Sequence, residues 1–433
     1  MAQRRPRSRR DNPVDAPGVP ARRAALRLLD AVLRRGQALE AALDAAARDL
    51  DQANDRALAH AIAAEVLRRL PDIDALIDSA TARPLPDDAK ARFALRIALA
   101  QALALGTPLH AAIATVLPLV DGGPRKLVHG VFGTLMRRPA TLPEVSALPE
   151  SVAARWRAAW GGAVVEAAAR AIAAPPPLDL TFKNADAAEA LRIDLGGTSL
   201  LPGHMRLVNH APVPNLAGYA EGAWWVQDLA ASLPARLIGA GNGRAIDVCA
   251  APGGKTLQLA AAGWRVTAID VAESRLARLS DNLARTGLAA EVIAADALAW
   301  APATPADAVL LDAPCSATGI FRRHPDVLHR VSPALIEEAA ALQARLLDRA
   351  SGWVKPGGLL VYATCSLEPA EGEAQMERFL AEHGDFTVEP IRADALPAGI
   401  VPDARGWLRT LPGTREVQGG CDGFFIAQLR RSG

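Results

Sequence analysis

Two cysteines in polar segments are the side chains of this chain best suited to covalent chemistry. Cys315 lies in Asp312-Ala-Pro-Cys-Ser-Ala-Thr-Gly319, and Cys365 lies in Thr364-Cys-Ser366. A free cysteine is more often a small core residue than a catalyst, and we apply that interpretation to the chain's other two cysteines. It does not suit Cys315 and Cys365, because each follows a predicted strand and is flanked by Ser or Thr. We therefore predict that these two thiols are the reactive groups.

Thiols of this kind can activate a carbon that does not attack an electrophile unaided, such as carbon 5 of cytosine. Attack by a thiolate on C6 converts the ring into an enamine whose C5 takes a methyl group, and a base then removes the C5 proton. A group near N3 must disperse the developing charge. Asp312, Cys315 and Cys365 supply these types of group, and Lys255 would lower the pKa of a nearby thiol. The residues alone do not decide which thiol attacks.

A Gly-rich segment, Asp247-Val-Cys-Ala-Ala-Pro-Gly-Gly-Lys-Thr256, is the predicted cofactor site. It lacks the Gly-x-Gly-x-x-Gly spacing of a pyrophosphate cradle, which disfavours NAD and FAD. The helix that begins there offers free N–H groups to a carboxylate. Asp270 and Asp296 follow the next two strands, where they can bind the ribose hydroxyls and the adenine amino group of S-adenosylmethionine. The predicted cofactor-binding set is Cys249, Ala250, Ala251, Pro252, Gly253, Gly254, Lys255, Asp270, Arg275, Asp296 and Asp312.

These groups require a sheet that gathers strand ends, and residues 221–433 show the alternation of strands and helices that predicts one. The pattern indicates a doubly wound, Rossmann-like α/β fold. Its predicted strands are Arg244–Cys249, Arg265–Asp270, Glu291–Asp296, Ala308–Asp312, Leu359–Thr364 and Phe424–Leu429. Its predicted helices are Lys255–Ala262, Glu273–Arg285 and Pro333–Trp353. The carboxyl ends of the strands form the edge where ligands bind in open α/β sheets.

The first half of the chain has a different pattern. Residues 1–18 include five arginines in the first ten positions and predict a disordered basic tail. Residues 19–140 have helical periodicity throughout, which predicts a separate all-α domain of five to seven helices. Residues 145–220 predict a small α+β connecting subdomain, with strands at 179–184 and 205–209 and a helix at 185–195.

Bulk composition narrows the class of protein without defining it. The 433 residues carry a net charge of +1, so an RNA partner would have to be bound through local basic patches. Arg322, Arg323 and His324, which follow the Pro-Cys segment, are the predicted RNA contacts. Four cysteines without metal-ligand spacing suit a reducing cytoplasm, and no metal is predicted. No apolar run approaches the roughly 18 residues that a membrane span needs, so no membrane partner is predicted.

The four motifs Asp247–Thr256, Asp312–Gly319, Thr364–Ser366 and Asp422-Gly-Phe-Phe425 resemble those of the RNA 5-methylcytosine methyltransferases with two active-site cysteines. The resemblance implies S-adenosylmethionine as cofactor, Cys365 as nucleophile and Cys315 as the group that promotes release. It also implies that Asp312 and Lys255 contact the base and cofactor. That family commonly has Gly at the position of Ala317, a change that we do not expect to abolish activity.

The helical N-terminal region resembles the RNA-binding domain of the antitermination factor NusB. Joined to this catalytic half, it is similar to the bacterial subgroup that methylates cytosine 967 of 16S ribosomal RNA, free or in a partly assembled small subunit. We expect a monomer. Three alternatives stay open. A DNA cytosine-5 methyltransferase would attack with Cys315, a NusB-like regulator would have lost catalysis, and a small-molecule methyltransferase would leave the N-terminal domain without a role.

Overall fold

The computed structural model describes residues 16–392 and 395–433, which divide into two compact units, one up to Ala147 and one from Leu148 onwards. The first fifteen residues of the predicted basic tail lie outside the described part of the chain. None of the helices in the described segments is both long and apolar enough to cross a membrane.

The first unit is built of helices, and its described part contains no strand. Its helices are α1 (Val19–Leu33), α2 (Leu39–Ala46), α3 (Ala53–Arg68), α4 (Leu70–Ser79), α5 (Lys90–Leu103), α6 (Leu109–Val116) and α7 (Gly122–Arg137). Leu29, Ile62 and Ile97 lie in three different helices, each within an apolar series of helical spacing. All three are fully buried in the core of this unit. Burial of such apolar stripes is the main source of stability for helices of this length. The all-α class predicted for this region is confirmed.

The second unit begins with two helices and a small antiparallel sheet. The helices are α8 (Glu150–Trp160) and α9 (Gly162–Ile172), and the sheet has the order β2-β1-β3. Its strands are β1 (Leu178–Phe182), β2 (His204–Leu207) and β3 (Trp224–Val226), and the short helices α10 (Ala185–Ala190) and α11 (Arg192–Leu195) lie between β1 and β2. The sequence indicated only two of these strands. Trp224 and Trp225 both lie in β3 and are buried, so neither ring is available to stack on a base.

A second sheet carries the strand ends at which the predicted reactive and cofactor-binding residues lie. Its strands are β4 (Arg244–Val248), β5 (Arg265–Asp270), β6 (Glu291–Ala294), β7 (Ala306–Asp312), β8 (Val354–Thr364), β9 (Phe386–Val388), β10 (Leu408–Thr410) and β11 (Phe424–Arg431). The order is β10-β11-β8-β7-β4-β5-β6, with β9 also paired to β11. Strands β4 to β8 run parallel and β11 runs antiparallel to β8, which confirms the Rossmann-like prediction.

The helices around this sheet are α12 (Leu229–Ile238), α13 (Gly254–Ala261), α14 (Glu273–Thr286), α15 (Val327–Arg330), α16 (Pro333–Ser351) and α17 (Glu373–Glu382). Several elements differ from the prediction. The helices α12, α15 and α17 and the strands β9 and β10 were not predicted, and β6 ends at Ala294, two residues earlier than expected. Strand β8 begins five residues earlier than predicted and includes Lys355–Gly358, where its pairing with β7 shifts register.

Candidate active site

The two predicted reactive thiols are in contact. The Sγ atoms of Cys315 and Cys365 lie 3.4 Å apart, within the distance of a sulfur hydrogen bond. Cys315 follows β7 and Cys365 follows β8, and these strands are parallel neighbours. Their carboxyl ends therefore meet at one edge, as the sequence predicted. The Gly319 N–H also donates to the Cys365 carbonyl (2.9 Å), so the two cysteine segments are joined through the backbone.

Cys315 lies among groups that disfavour its thiolate. Its hydrogen bond to Cys365, its burial, and the negative charges of Cys365 and Glu371 raise the pKa of Cys315 well above the ordinary value. Cys315 is therefore a thiol at neutral pH. Of the other two cysteines, Cys421 is buried and Cys249 is partly buried against the core. Burial raises the pKa of Cys249 to about 12, and burial likewise raises the pKa of Cys421.

Lys255 is a buried cation that pairs with Asp312. Its Nζ lies 2.7 Å from Asp312 Oδ2 and 5.4 Å from the centre of the Phe424 ring. Burial alone would lower the pKa of Lys255, but the Asp312 carboxylate, with smaller contributions from Asp247 and Cys365, leaves it raised. Lys255 thus stays protonated and places a compact positive charge near Cys365. The Phe424 contact explains how the Asp422–Phe425 motif, far along the chain, bears on this site.

The Gly-rich segment between β4 and α13 forms a tight loop. Gly253 has φ +108°, and a Cβ there would lie 2.3 Å from Leu279 Cδ1, so the position requires glycine. Ala250 donates its N–H to the Ile269 carbonyl (3.0 Å), which ties the loop to β5. Helix α13 begins at Gly254, next to this loop, and its first N–H groups have no partner within the helix. This arrangement fits the carboxylate of an adenosyl-methionine ligand.

The predicted acidic ligands lie on successive strand ends. Asp270 ends β5, where its carboxylate accepts hydrogen bonds from the Ala251 N–H (3.2 Å) and from Arg275 (2.8 Å). The same carboxylate therefore organises the loop, and Arg275 lies beside it. Asp296 is exposed in the turn after β6, where it accepts a hydrogen bond from the Leu298 N–H (2.9 Å). These residues offer loop N–H groups that can donate hydrogen bonds and two carboxylates that can accept them. Such a combination suits the carboxylate, ribose and adenine groups of an adenosyl cofactor.

Asp247, the last acidic residue before the loop, is fully buried. Its Oδ2 accepts a hydrogen bond from the Thr256 hydroxyl (2.5 Å), whereas no partner is found for Oδ1 among the described residues. Burial raises the pKa of Asp247 to about 7. The sequence indicated only that Asp247 lies at a strand end. No spacing rule distinguishes such a buried carboxylate from the exposed Asp296.

Two of the three predicted RNA contacts have ion-pair partners inside the protein. Arg322 is 4% exposed, and its guanidinium contacts Asp422 (3.2 Å) and Asp228 (3.3 Å). Arg323 pairs with the same two carboxylates, which raise its pKa. Both arginines point into the protein because two buried carboxylates need counter-charges. His324 is half-buried and stays a predicted RNA contact.

Sequence reasoning also missed a buried polar cluster behind Cys315. Glu371, in the segment before α17, accepts hydrogen bonds from the Ser316 N–H (2.9 Å) and the Ser316 hydroxyl (2.6 Å). Gln343 on α16 donates to the carbonyl of Pro314 (2.9 Å). Both side chains are fully buried. The spacing of Glu371 and Gln343 in the sequence does not indicate that they lie beside the cysteine loop, because the fold brings them there from distant segments.

Comparisons with known proteins agree with this geometry. Residues 237–430 match the family described as 16S rRNA methyltransferase RsmB/F, and residues 19–133 match the NusB family. The chain is 38% identical over 437 residues to the Ribosomal RNA small subunit methyltransferase B of Xylella fastidiosa, covering 95% of this chain and 98% of that protein. It is 36% identical to the protein of the same description from Xanthomonas campestris, covering 96% and 98%. The crystal structure of PH0851 superposes with a TM-score of 0.71 at 23% identity, over 96% of this chain and all of that one.

Proposed function

Because the chain belongs to the 16S rRNA methyltransferase RsmB/F family, we propose that it methylates carbon 5 of a cytosine in small-subunit ribosomal RNA. The proposed target is cytosine 967 of 16S ribosomal RNA, and the proposed route is a covalent bond between Cys365 and C6 that is resolved with help from Cys315. The near-complete coverage of relatives described as small-subunit methyltransferase B supports the RNA target. The contact between the two thiols supports the covalent route.

The single observation that carries the mechanism is the 3.4 Å contact between the two thiols. The Cys365 thiolate bonds to C6, and the displaced electron pair moves to C5, which accepts the methyl group. A base then removes the C5 proton, the ring double bond re-forms and Cys365 leaves as a thiolate. The raised pKa of Cys315 keeps its proton in place, so its S–H can stabilise the departing Cys365 thiolate.

Asp312 and Lys255 are proposed to bind the base. Negative charge develops on the ring during attack at C6, and a protonated Lys255 held by Asp312 offers compensation in a largely buried setting. The Asp312 side chain is 30% exposed, so it remains accessible to a base from solution. The target cytosine must be unpaired or flipped out to reach these groups.

S-adenosylmethionine is the proposed cofactor, and when bound it supplies the electrophilic methyl group. The loop Cys249–Lys255 and the first N–H groups of α13 would hold its methionine carboxylate. Asp270, oriented by Arg275, would bind the ribose, and Asp296 would bind the adenine. The protein is proposed to act as a monomer, with the NusB-like first unit contributing to RNA binding on free or partly assembled small-subunit RNA.

A gel experiment tests the covalent route. Cys315→Ala is incubated with transcribed 16S ribosomal RNA and S-adenosylmethionine, then run under denaturing conditions beside the Cys315→Ala/Cys365→Ala double variant. We expect a slowly migrating protein–RNA adduct from the single variant only, because the nucleophile is present and the release group is absent. The RNA of the native reaction is mapped for 5-methylcytosine, and we expect modification at cytosine 967.

The controls separate the other candidate functions. Cys365→Ala should lose methyl transfer while its affinity for S-adenosylmethionine stays within a few-fold of native. If Cys365→Ala retained methyl transfer and Cys315→Ala lost it, attack would be assigned to Cys315. DNA would then be the substrate to test. Absence of cofactor binding by the native chain would contradict an enzymatic function altogether.

A further inference from the structure

The backbone on either side of Cys315 is held by two buried side chains from other parts of the fold. Gln343 Nε2 donates to the carbonyl of Pro314 at 2.9 Å, and Glu371 Oε1 accepts the N–H of Ser316 at 2.9 Å. Gln343 and Glu371 are both fully buried. The peptide units flanking Cys315 are therefore fixed by bonds that water does not compete for.

Glu371 is itself attached to the strand that carries Cys365. Its backbone carbonyl accepts hydrogen bonds from the Tyr362 hydroxyl (2.8 Å) and the Thr364 hydroxyl (3.3 Å), both on β8. The Ser316 hydroxyl, bonded to Glu371 at 2.6 Å, also lies 3.1 Å from the hydroxyl of Ser366. Glu371 thus joins the segment of one cysteine to the strand of the other.

The local backbone needs such anchoring. Ala317 has φ +57°, a left-handed conformation that costs a residue with a Cβ about 1 kcal/mol. Glu371 adds a second cost, because it is a buried carboxylate with no ion pair to any described residue, and burial raises its pKa. A neutral side chain would fill the space at lower cost. The Glu371 carboxylate is therefore better explained by the hydrogen bonds that position Ser316 than by its contribution to stability.

We propose that Glu371 is a positioning residue that holds Cys315 against Cys365 through the amide and hydroxyl of Ser316, and so governs how fast the methylated RNA is released. This inference rests on the proposed function. Glu371 does not touch the reacting atoms, so its effect reaches them through the placement of Cys315. The Glu371 charge also raises the pKa of Cys315, although the hydrogen bond to Cys365 and burial have larger effects.

The first test measures how long the covalent adduct lasts. Adduct formed on 16S ribosomal RNA with S-adenosylmethionine is chased with excess unlabelled RNA, and its decay is followed for native protein, Glu371→Ala and Glu371→Gln. A displaced release group should lengthen the adduct lifetime on the order of 10- to 100-fold in Glu371→Ala. Glu371→Gln retains an oxygen that accepts the Ser316 N–H, so its adduct lifetime should return to within a few-fold of native.

Glu368→Gln is the matched control. Glu368 is also buried and lies three positions earlier, but its carboxylate bonds Trp156 (3.1 Å) and Arg155 (3.4 Å), away from the cysteine loop. Its adduct should decay at the native rate. A Glu371→Ala protein that releases RNA as fast as native, or that loses adduct formation and release equally with a lowered melting temperature, would overturn the positioning role.

A second test needs no RNA. In a Cys365→Ala background, the rate at which iodoacetamide alkylates Cys315 is measured against pH, with the modified peptide quantified by mass spectrometry. Removing the Glu371 charge in Glu371→Gln should shift the alkylation profile towards lower pH by up to about one unit, whereas Glu368→Gln should not. An unchanged profile counts against the inference. If Cys315→Ala traps no RNA, the proposed function fails, yet this profile still decides whether Glu371 acts on Cys315.

Discussion

Gly319 and Gly423 are in direct backbone contact. The Gly423 N–H donates to the Gly319 carbonyl at 2.9 Å, and a Cβ on Gly319 would lie 2.0 Å from the Gly423 carbonyl oxygen. Gly319 also donates its N–H to Cys365. One glycine therefore connects both cysteine segments to the segment that leads into β11.

Gly319→Ala should consequently displace the cysteine loop. The clash involves backbone atoms, which cannot rotate away as a side chain can. We expect methyl transfer to fall by about 100-fold, the effect of a misplacement near 1 Å, while cofactor binding at the other loop persists. Single-turnover assays and calorimetry measure the two quantities. Gly384→Ala is the control, because a Cβ there meets nothing within 4 Å, and a native-like Gly319→Ala would contradict the packing argument.

Arg322→Met tests whether Arg322 acts inside the protein. Removing this buried cation leaves Asp228 and Asp422 to share Arg323, so the free energy of unfolding should fall by up to about 3 kcal/mol. Denaturant titration measures the loss. The dependence of RNA affinity on salt should keep its native slope. A slope reduced by about one unit would show that Arg322 binds a phosphate after all.

The sequence-based predictions succeeded where the signal was local. The motifs around Cys315, Cys365 and the Gly-rich loop placed all three at strand ends, because strand and turn patterns are read over a few residues. They gave no sign of the internal partners of Arg322, because Asp228 and Asp422 lie about a hundred residues away on either side. They also missed Glu371. Whether a charge faces solvent or a buried partner depends on tertiary contacts that no short window contains.

Asp312→Asn should change how activity depends on pH. Burial lowers the pKa of Lys255 and the Asp312 carboxylate outweighs that effect, so in the variant the lysine should lose its proton at lower pH. Activity should fall about 100-fold near neutrality, and its alkaline decline should begin earlier than in the native protein. A pH series of single-turnover rates measures both effects. Asp307→Asn, which removes the partner of the more exposed Lys355, should leave the profile unchanged.

Asp247→Asn should alter the pH dependence of stability. The native pKa is raised to about 7, whereas aspartate in the unfolded chain titrates near about 4. Between these values the folded state holds a proton that the unfolded state has released, so Asp247 makes stability fall as pH rises. The variant lacks this titration, and its stability relative to native should increase across that range by up to about 4 kcal/mol. Unfolding titrations at several pH values measure the difference, and a constant difference would refute the raised pKa.

Ala317→Gly should stabilise the protein slightly. Glycine adopts φ +57° without the steric cost that alanine incurs, although it loses more conformational freedom on folding. The net gain should be at most about 0.5 kcal/mol, with methyl transfer at least equal to native. Thermal unfolding measures the gain. Ala344→Gly in the middle of α16 should instead destabilise by about 1 kcal/mol, since its helical position favours alanine.

Because β11 pairs with β8, the active site of a new chain can close only after β11 has been synthesised. Lys255, Cys315 and Cys365 all emerge from the translating ribosome before Asp422–Phe424, whose contacts brace the cysteine loop and the lysine. A nascent chain that already carries both thiols and the cofactor loop therefore lacks a closed site. Translation errors or proteolysis that remove β11 alone would leave a chain with every catalytic side chain in its sequence, but without the pairing of β11 with β8 and without the Phe424 contact to Lys255.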